Sequence, residues 1–161
     1  MRSHRESERR PRVETTCAAR HDASDFRVLV VEDNPSNRLF LVRVLGGGGF
    51  DVSAAEDGER AVALARERRY DLILMDVEMP NMDGVTATSI IRSGRPRLEG
   101  TPPSVPIIGI SAKNEPDDRS RFAAAGMTAF LPKPFDARAL RAVVDAACRR
   151  TAACRQREYE R

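Results

Sequence analysis

The chain has 161 residues, of which 41% are apolar and 32% charged, a balance typical of a soluble globular protein. This length suits one domain with a sizeable core, and no apolar stretch approaches the roughly 20 residues of a membrane span. The net charge of +3 comes from the two ends, because the central part carries sixteen bases against seventeen acids. The charge pattern therefore argues against direct DNA binding, and we expect a cytoplasmic protein without membrane contact.

Composition divides the chain into three parts. Residues 1–25 carry six Arg and five acids with few apolar groups, so we predict a disordered basic N-terminal arm. Residues 26–148 hold the apolar segments of one folded domain, and residues 149–161 form a short basic C-terminal tail. The three cysteines, Cys17, Cys148 and Cys154, have neither the number nor the spacing of a disulfide framework or a zinc site.

From Phe26 onward, short apolar runs alternate with segments of helical periodicity, which is the pattern of βα units in a parallel sheet. The predicted strands cover 27–31, 51–55, 72–75, 107–110 and 129–131, and the predicted helices cover 35–45, 59–68, 85–92, 116–125 and a segment from 137 past 147. Asn34 and Asp136 are predicted N-caps, and the glycines at 46–49 end the first helix. The fold class is therefore α/β, with five strands and five helices.

Two local predictions accompany this pattern. The first helix is expected to bury apolar side chains at four positions, namely Leu39, Phe40, Val42 and Val44. Residues 93–106, which contain four prolines and two glycines, are expected to form a long surface loop.

Four apolar runs are each followed by polar residues whose side chains could act together in one site. The residues at these ends are Glu32 and Asp33, then Asp76, then Ser111, and finally Lys133. In an open parallel sheet the carboxyl ends of the strands lie along one edge, where such folds build their sites. We therefore expect three carboxylates, a hydroxyl and an ammonium group to meet there.

These side chains can hold a divalent cation and a phosphoryl group together. Mg²⁺ prefers oxygen ligands, and Glu32, Asp33 and Asp76 offer them, whereas three adjacent carboxylates without a cation would repel one another. Asp76 follows four apolar residues and is a candidate nucleophile toward phosphorus. Lys133 is one of only two lysines in the chain, which suggests that a compact point charge is needed there.

Four sequence segments resemble the receiver domain of two-component response regulators. They are residues 28–34 (VLVVEDN), 75–84 (MDVEMPNMDG), 111–112 (SA) and 133–135 (KPF), and the resemblance spans about residues 26–148. It implies a (βα)5 flavodoxin-like, doubly wound, five-stranded parallel sheet of strand order 2-1-3-4-5. It also implies that a histidine kinase passes a phosphoryl group from His to Asp.

Carried onto this sequence, the resemblance implies a role for each matching residue. Asp76 would be the phosphoacceptor, and Asp33, Asp76 and the backbone carbonyl of Glu78 would ligate Mg²⁺, with Glu32 joining through a water. Lys133 would pair with the phosphate. Ser111 would swing to hydrogen-bond a phosphate oxygen, and Phe130 would rotate inward as a second switch residue. The Lys133–Pro134 bond is expected to be cis.

Two further residues lie near the expected phosphate. Glu78 and Lys113 follow Asp76 and Ser111 by two positions each. We expect them to form an ion pair across the opening of the site that hinders hydrolysis of the acyl phosphate and so tunes its lifetime.

The resemblance also implies partners. A sensor histidine kinase, a histidine phosphotransfer protein, or both would supply the phosphoryl group, and a downstream protein target would bind a surface that changes on phosphorylation. The last two helices are the candidate homodimer surface. Only 14 residues follow Ala147, which favours a stand-alone receiver without an output domain, and residues 108–114 look like receivers attached to hybrid kinases.

Two other classes of protein remain open at this point. A dehalogenase-type phosphatase also uses an Asp nucleophile, but it needs a second Asp where Glu78 stands. A flavodoxin-type FMN module shares the topology, although the adjacent carboxylates of Glu32 and Asp33 would repel the flavin phosphate. A receiver, by contrast, would catalyse only its own phosphorylation and slow dephosphorylation with Mg²⁺, so on that interpretation the chain is not an enzyme with a separate substrate.

Overall fold

A computed structural model describes residues 26–94 and 100–159 of the chain. The described strands are β1 (Arg27–Val31), β2 (Asp51–Ala55), β3 (Leu72–Asp76), β4 (Ile107–Ser111) and β5 (Ala129–Pro132). The described helices are α1 (Pro35–Gly46), α2 (Gly58–Glu67), α3 (Gly84–Ser93), α4 (Pro116–Ala125) and α5 (Ala137–Tyr159). Strands and helices alternate as the sequence predicts, and α5 extends well into the stretch that the sequence marks as a basic tail.

The five strands form one parallel sheet of order β2-β1-β3-β4-β5. The chain begins in the centre, moves to one edge with β2, returns through β3 and then proceeds to the other edge. The direction of winding thus reverses between β1 and β3, and ligands of open α/β sheets bind at such a reversal. The predicted doubly wound, flavodoxin-like topology is confirmed.

The central strands β1, β3 and β4 are mainly apolar because both faces of the sheet are covered by helices. Alternate residues of β1 and β3 enter opposite cores, and every residue of β3 and β4 is buried. One core packs against α2, α3 and α4, with Ala61, Ile91 and Phe122 among the helix residues. The other packs against α1 and α5 through Leu41, Leu45, Leu140 and Val144.

The prediction for the buried face of α1 is wrong at two positions. Leu39 and Phe40 are 50% and 38% exposed, and Leu41 and Leu45 are the fully buried residues of this helix. Residues four apart lie on the same side of a helix, so burying Leu41 and Leu45 turns Leu39 and much of Phe40 outward. Val42 and Val44 are half-buried.

The segment between α3 and β4 is not wholly a surface loop, contrary to the prediction. Thr101 and Val105 are buried. The Thr101 hydroxyl donates to the Arg68 carbonyl at 2.6 Å and accepts from the Tyr70 backbone N–H at 3.1 Å. The segment is held because Thr101 satisfies two backbone groups at the start of β3, where no ladder bond reaches them.

The helix boundaries follow from local capping. The Asn34 side chain accepts from the backbone N–H groups of Ser36 and Asn37, and the Asp136 side chain accepts from that of Ala139, so both predicted N-caps are confirmed. Gly126 ends α4 with a φ of 102°, a backbone conformation that favours glycine. Among the described residues, no helix is long and apolar enough to cross a membrane.

Candidate functional site

The acidic pair lies at the carboxyl end of β1. Glu32 is buried and Asp33 is half-buried. The guanidinium of Arg38, one turn into α1, donates to the backbone carbonyls of Glu32 at 2.7 Å and Asp33 at 3.1 Å. Glu32 Oε1 also accepts from the Asn34 backbone N–H at 3.3 Å. These contacts hold the β1–α1 turn, so both carboxylates stay at the sheet edge.

Asp76 is the last residue of β3 and is only 2% exposed. Its Oδ1 accepts a hydrogen bond from the Glu78 backbone N–H at 3.2 Å. Gly84, the first residue of α3, packs so closely behind Asp76 that an added Cβ would collide with the Asp76 backbone carbonyl. The chain after β3 therefore turns tightly around the carboxylate and leaves its other oxygen facing the acidic pair and Lys133.

Lys133 brings a positive charge between two buried carboxylates. Its Nζ lies 3.2 Å from Asp76 Oδ2 and 3.2 Å from Glu32 Oε2. Its backbone N–H donates to the Ser111 carbonyl at 2.9 Å, which extends the β4–β5 pairing to the edge of the sheet. The Lys133–Pro134 peptide bond is cis, as predicted.

Ser111 ends β4 one residue beyond Ile110, the register partner of Asp76. It is buried, and its hydroxyl oxygen accepts from the Lys113 backbone N–H at 3.0 Å. The hydroxyl proton is therefore available to an acceptor at the carboxyl edge of the sheet. Phe130, in the neighbouring strand, is half-buried with its ring centroid 5.6 Å from that of Phe122.

The electrostatics of the site favour a bound cation. Burial, followed by repulsion from Glu32, raises the pKa of Asp76 from 3.8 to about 6, although Lys133 and the Glu78 N–H act in the opposite direction. Partial burial would by itself lower the pKa of Lys133, but the attraction of Asp76 and Glu32 outweighs it and raises that pKa. The single ammonium group of Lys133 thus neutralises only part of the negative charge of the three carboxylates.

The donor set fits a hard divalent cation. Oxygen atoms of Glu32, Asp33 and Asp76 all lie within 4.8 Å of one another. Glu32 Oε2 is buried and forms no hydrogen bond of good geometry, although it lies within ion-pair distance of Lys133. The same ammonium group lies 3.2 Å from Asp76 Oδ2, so one cation serves two buried carboxylates, and a metal ion or its water shell would balance the negative charge that remains.

The predicted pair at the opening of the site is present. Lys113 Nζ lies 3.3 Å from Glu78 Oε1, and both side chains are exposed. Sequence reasoning therefore located this contact, and it also located each of the five polar residues that the structure brings to the sheet edge.

Sequence reasoning missed the residues that hold the site in place. Arg38 binds two carbonyls of the β1–α1 turn, and the Asn37 side-chain amide approaches Glu32 Oε1 at 3.4 Å. Gly84 appears in the sequence only as the last residue of the segment 75–84, whereas in the structure its lack of a side chain permits the close approach to Asp76. Arg38 had one sequence signal, because a basic residue in the first turn of a helix opposes the helix dipole and needs a partner.

Comparison with known proteins identifies the family. The family model for the response regulator receiver domain matches residues 28–145. The chain belongs to this family. Receiver domains are signalling modules of two-component systems and are not enzymes with a separate substrate, so the phosphatase and flavodoxin classes are set aside.

Relatives of this receiver include parts of sensor kinases and small single-domain proteins. The chain is 39% identical to the sensor protein GacS of Pseudomonas syringae over 73% of its own length and 13% of the length of GacS. It is 36% identical to the receiver domain of the sensor histidine kinase PA1611 of Pseudomonas aeruginosa, with a TM-score of 0.66 and coverage of 76% and 97%. That structure has a magnesium ion coordinated in its active-site cleft.

A chemotaxis protein has the same architecture. CheY4 of Vibrio cholerae is 30% identical, with a TM-score of 0.68 and coverage of 76% of this chain and 98% of CheY4. The chain thus spans nearly all of these receiver structures but only about an eighth of GacS.

Proposed function

We propose that this receiver accepts a phosphoryl group on Asp76 from a phosphohistidine of a partner protein. The observation that carries the proposal is the position of Lys133 Nζ, 3.2 Å from oxygens of both Asp76 and Glu32 at the switch point of the sheet. An ammonium group beside a buried carboxylate can balance the charge of an incoming phosphoryl group.

The transfer requires little from the protein except position and charge. A carboxylate oxygen of Asp76 would attack phosphorus, the P–N bond to the partner's imidazole would break, and the nitrogen would keep the electron pair and take up a proton from solvent. Lys133 would neutralise an equatorial phosphoryl oxygen, and the Ser111 hydroxyl would donate to another. In this sense the chain promotes its own phosphorylation and slow dephosphorylation.

Asp33, Asp76 and the backbone carbonyl of Glu78 would hold Mg²⁺, and Glu32 would bind it through a water. When bound, Mg²⁺ supplies positive charge for the phosphoryl oxygens during transfer. Glu32 is a buried acid that shares the Lys133 ammonium group with Asp76, which supports its inclusion, and the magnesium in the PA1611 receiver supports the identity of the metal.

Ser111 and Phe130 are proposed as the residues that report phosphorylation. The Ser111 hydroxyl oxygen accepts from the Lys113 N–H, and the Phe130 ring is half-exposed beside Phe122. Donation from Ser111 to a phosphoryl oxygen would move it toward Asp76 and open space for Phe130 to turn inward. The surface formed by α4, β5 and α5 would change, which a downstream target or a second copy could detect.

The partner that carries the phosphohistidine is proposed to dock beside α1. Leu39 and Phe40 are exposed apolar residues, and the Phe40 ring contacts that of Phe135 at a centroid distance of 6.2 Å. Phe135 follows Lys133 by two residues, so this apolar surface adjoins the acidic cleft. A helical histidine kinase or phosphotransfer protein could bury it while presenting a histidine to Asp76.

Labelling tests this function directly. Radiolabelled acetyl phosphate with Mg²⁺ should phosphorylate the wild-type chain, and the label should be acid-stable and lost in hydroxylamine, as an acyl phosphate is. Asp76→Asn should abolish labelling, whereas Asp57→Asn, which alters an acid that caps α2, should retain it. Equal labelling of wild type and Asp76→Asn would overturn the assignment.

A further inference from the structure

A second concave site lies at the amino-terminal ends of the strands, whereas Asp76 lies at their carboxyl ends. A cavity of about 330 Å³ opens between the residues that precede β3 and β4, the start of β5 and the outer part of α5. We name it the basal cavity. The strands are four or five residues long, so it lies about 15 Å from the acidic cleft. It shares no residue with the proposed phosphorylation site.

The walls of the basal cavity are mainly apolar. Pro106, Ala129 and Ala147 belong to its lining, and Tyr70 adds an aromatic side chain that is 1% exposed. Binding pockets for small organic molecules start at about 300 Å³ and are lined mostly by apolar groups with a few polar ones. The basal cavity is therefore at the lower end of that range and fits a small ligand with an apolar body.

The charges around the cavity favour an anion. Arg69 and Arg150 both line it and are exposed, and neither forms an ion pair with a carboxylate within residues 26–94 and 100–151. Among the described residues of the lining, Asp71 is the one acid, and its carboxylate accepts from the Arg27 backbone N–H at 3.0 Å. Two cations against one carboxylate leave an excess positive charge, and guanidinium groups bind carboxylates and sulfonates through paired hydrogen bonds.

We propose that the basal cavity binds a small organic monoanion, with its apolar body between the strand ends and α5 and its acidic group at Arg69 and Arg150. This inference concerns a different part of the molecule from the proposed phosphoryl transfer and does not depend on it.

A matched pair of probes tests the proposal. 8-Anilinonaphthalene-1-sulfonate carries aromatic rings and one sulfonate, and N-phenyl-1-naphthylamine has the same rings without the charge. We expect saturable binding of the anionic probe to the full chain, with amide shifts in a ¹⁵N-labelled sample centred on Thr128, Ala129 and Thr151. The double variant Arg69→Gln/Arg150→Gln should lower the affinity for the anionic probe at least about tenfold and leave the affinity for the neutral probe nearly unchanged.

Two controls separate this site from general binding. Arg149→Gln removes an exposed arginine of α5 that does not line the cavity, and it should change the affinity less than about twofold. Ala129→Leu should fill part of the cavity and so lower the affinity for both probes. Labelling of Asp76 by acetyl phosphate should persist in every variant, which verifies that the fold is intact.

Four outcomes would overturn the proposal. The first three are the absence of saturable binding to the wild type, equal losses in Arg149→Gln and the double variant, and amide shifts that cluster away from the cavity. Self-association of the chain that Ala129→Leu removes would assign the cavity to a second copy and would equally overturn it.

Discussion

Lys113 Nζ lies 3.3 Å from Glu78 Oε1, and this ion pair joins the loop after β3 to the loop after β4. Each partner stands two residues beyond a group of the proposed chemistry, Asp76 or Ser111. Both side chains are well exposed, so the pair adds little to the free energy of unfolding. We propose that the pair limits the access of water to Asp76, because it joins the two loops that follow Asp76 and Ser111.

We expect Glu78→Ala and Lys113→Ala to shorten the lifetime of the phosphorylated chain. An exposed pair contributes at most about 1 kcal/mol, which bounds the acceleration of hydrolysis at about fivefold. The measurement is the decay of acid-precipitable label after removal of acetyl phosphate. Arg121→Ala is the control, because Arg121 pairs with Asp83 at 3.8 Å with the same side-chain exposures and should leave the lifetime unchanged. Unchanged or longer lifetimes in both variants would refute the idea.

The raised pKa of Asp76 predicts a stability effect with a defined pH dependence. The folded-state pKa of about 6 lies above the ordinary value of 3.8, so the folded chain holds this proton more tightly than the unfolded chain. The ionised carboxylate is therefore destabilising above about pH 6, and this penalty disappears as the pH falls from 6 to 3.8. In EDTA at pH 7.5, Asp76→Asn should raise the free energy of unfolding by about 1–3 kcal/mol.

Urea unfolding at several pH values measures this effect. The difference between Asp76→Asn and wild type should shrink as the pH is lowered below 6. Asp117→Asn changes an exposed acid of α4 and should show no such trend. A difference that stays constant or grows toward pH 4 would contradict the argument.

Arg92 is expected to be a large contributor to stability. Its guanidinium donates to the Gly126 carbonyl through Nε and Nη2, at 2.9 and 2.7 Å, and to the carbonyls of Pro103 and Val105 at 2.6 and 2.7 Å. Burial lowers the pKa of Arg92, which reflects the loss of water around this charge. Arg92→Met would leave three carbonyls without their donor and should cost about 2–4 kcal/mol.

The matched comparison is Arg121→Met on the exposed face of α4, which should cost less than about 0.5 kcal/mol. Chemical denaturation gives both values. Arg92→Lys should recover only part of the loss, because an ammonium group cannot bind the Gly126 carbonyl through two nitrogens while it also reaches Pro103 and Val105. Similar losses in Arg92→Met and Arg121→Met would show that the hydrogen bonds are not stabilising.

The exposed apolar residues of α1 are expected to affect the rate of phosphoryl transfer from a partner protein but not from a small donor such as acetyl phosphate. We expect Leu39→Ser and Phe40→Ser to reduce, about tenfold, the rate of labelling by a phosphorylated histidine protein that labels the wild type. Labelling by acetyl phosphate should be unaffected, because neither side chain belongs to the cleft. Arg43→Ser on the same helix is the control. Equal effects on both donors would indicate damage to the cleft and would contradict docking on α1.

Local sequence patterns were sufficient to predict the alternating elements and the residues at the strand ends. Apolar runs of β-branched and aliphatic residues define buried strands, and the chain must leave the sheet at the first polar residue that follows. Asn34 and Asp136 cap helices through bonds to neighbours two or three residues away, so their roles are also readable locally.

Other features depend on which elements pack together. Local periodicity placed Leu39 and Phe40 in the core, whereas the contact of α1 with the sheet is made through Leu41 and Leu45. Thr101 looks like a loop residue in sequence, yet it is buried because it hydrogen-bonds backbone groups 31 and 33 positions away. No local pattern encodes these contacts, because the partners are distant along the chain.

The sequence by itself therefore determined the chemical set at one edge of the sheet: carboxylates of Glu32, Asp33 and Asp76, a hydroxyl of Ser111 and an ammonium of Lys133. Only the tertiary structure decided that Lys133 lies at 3.2 Å from two of those carboxylates, and that a cavity lined by two exposed arginines opens at the other end of the strands. Residue type and strand length are properties of a segment, but distances between side chains and empty space between elements arise only when the segments pack.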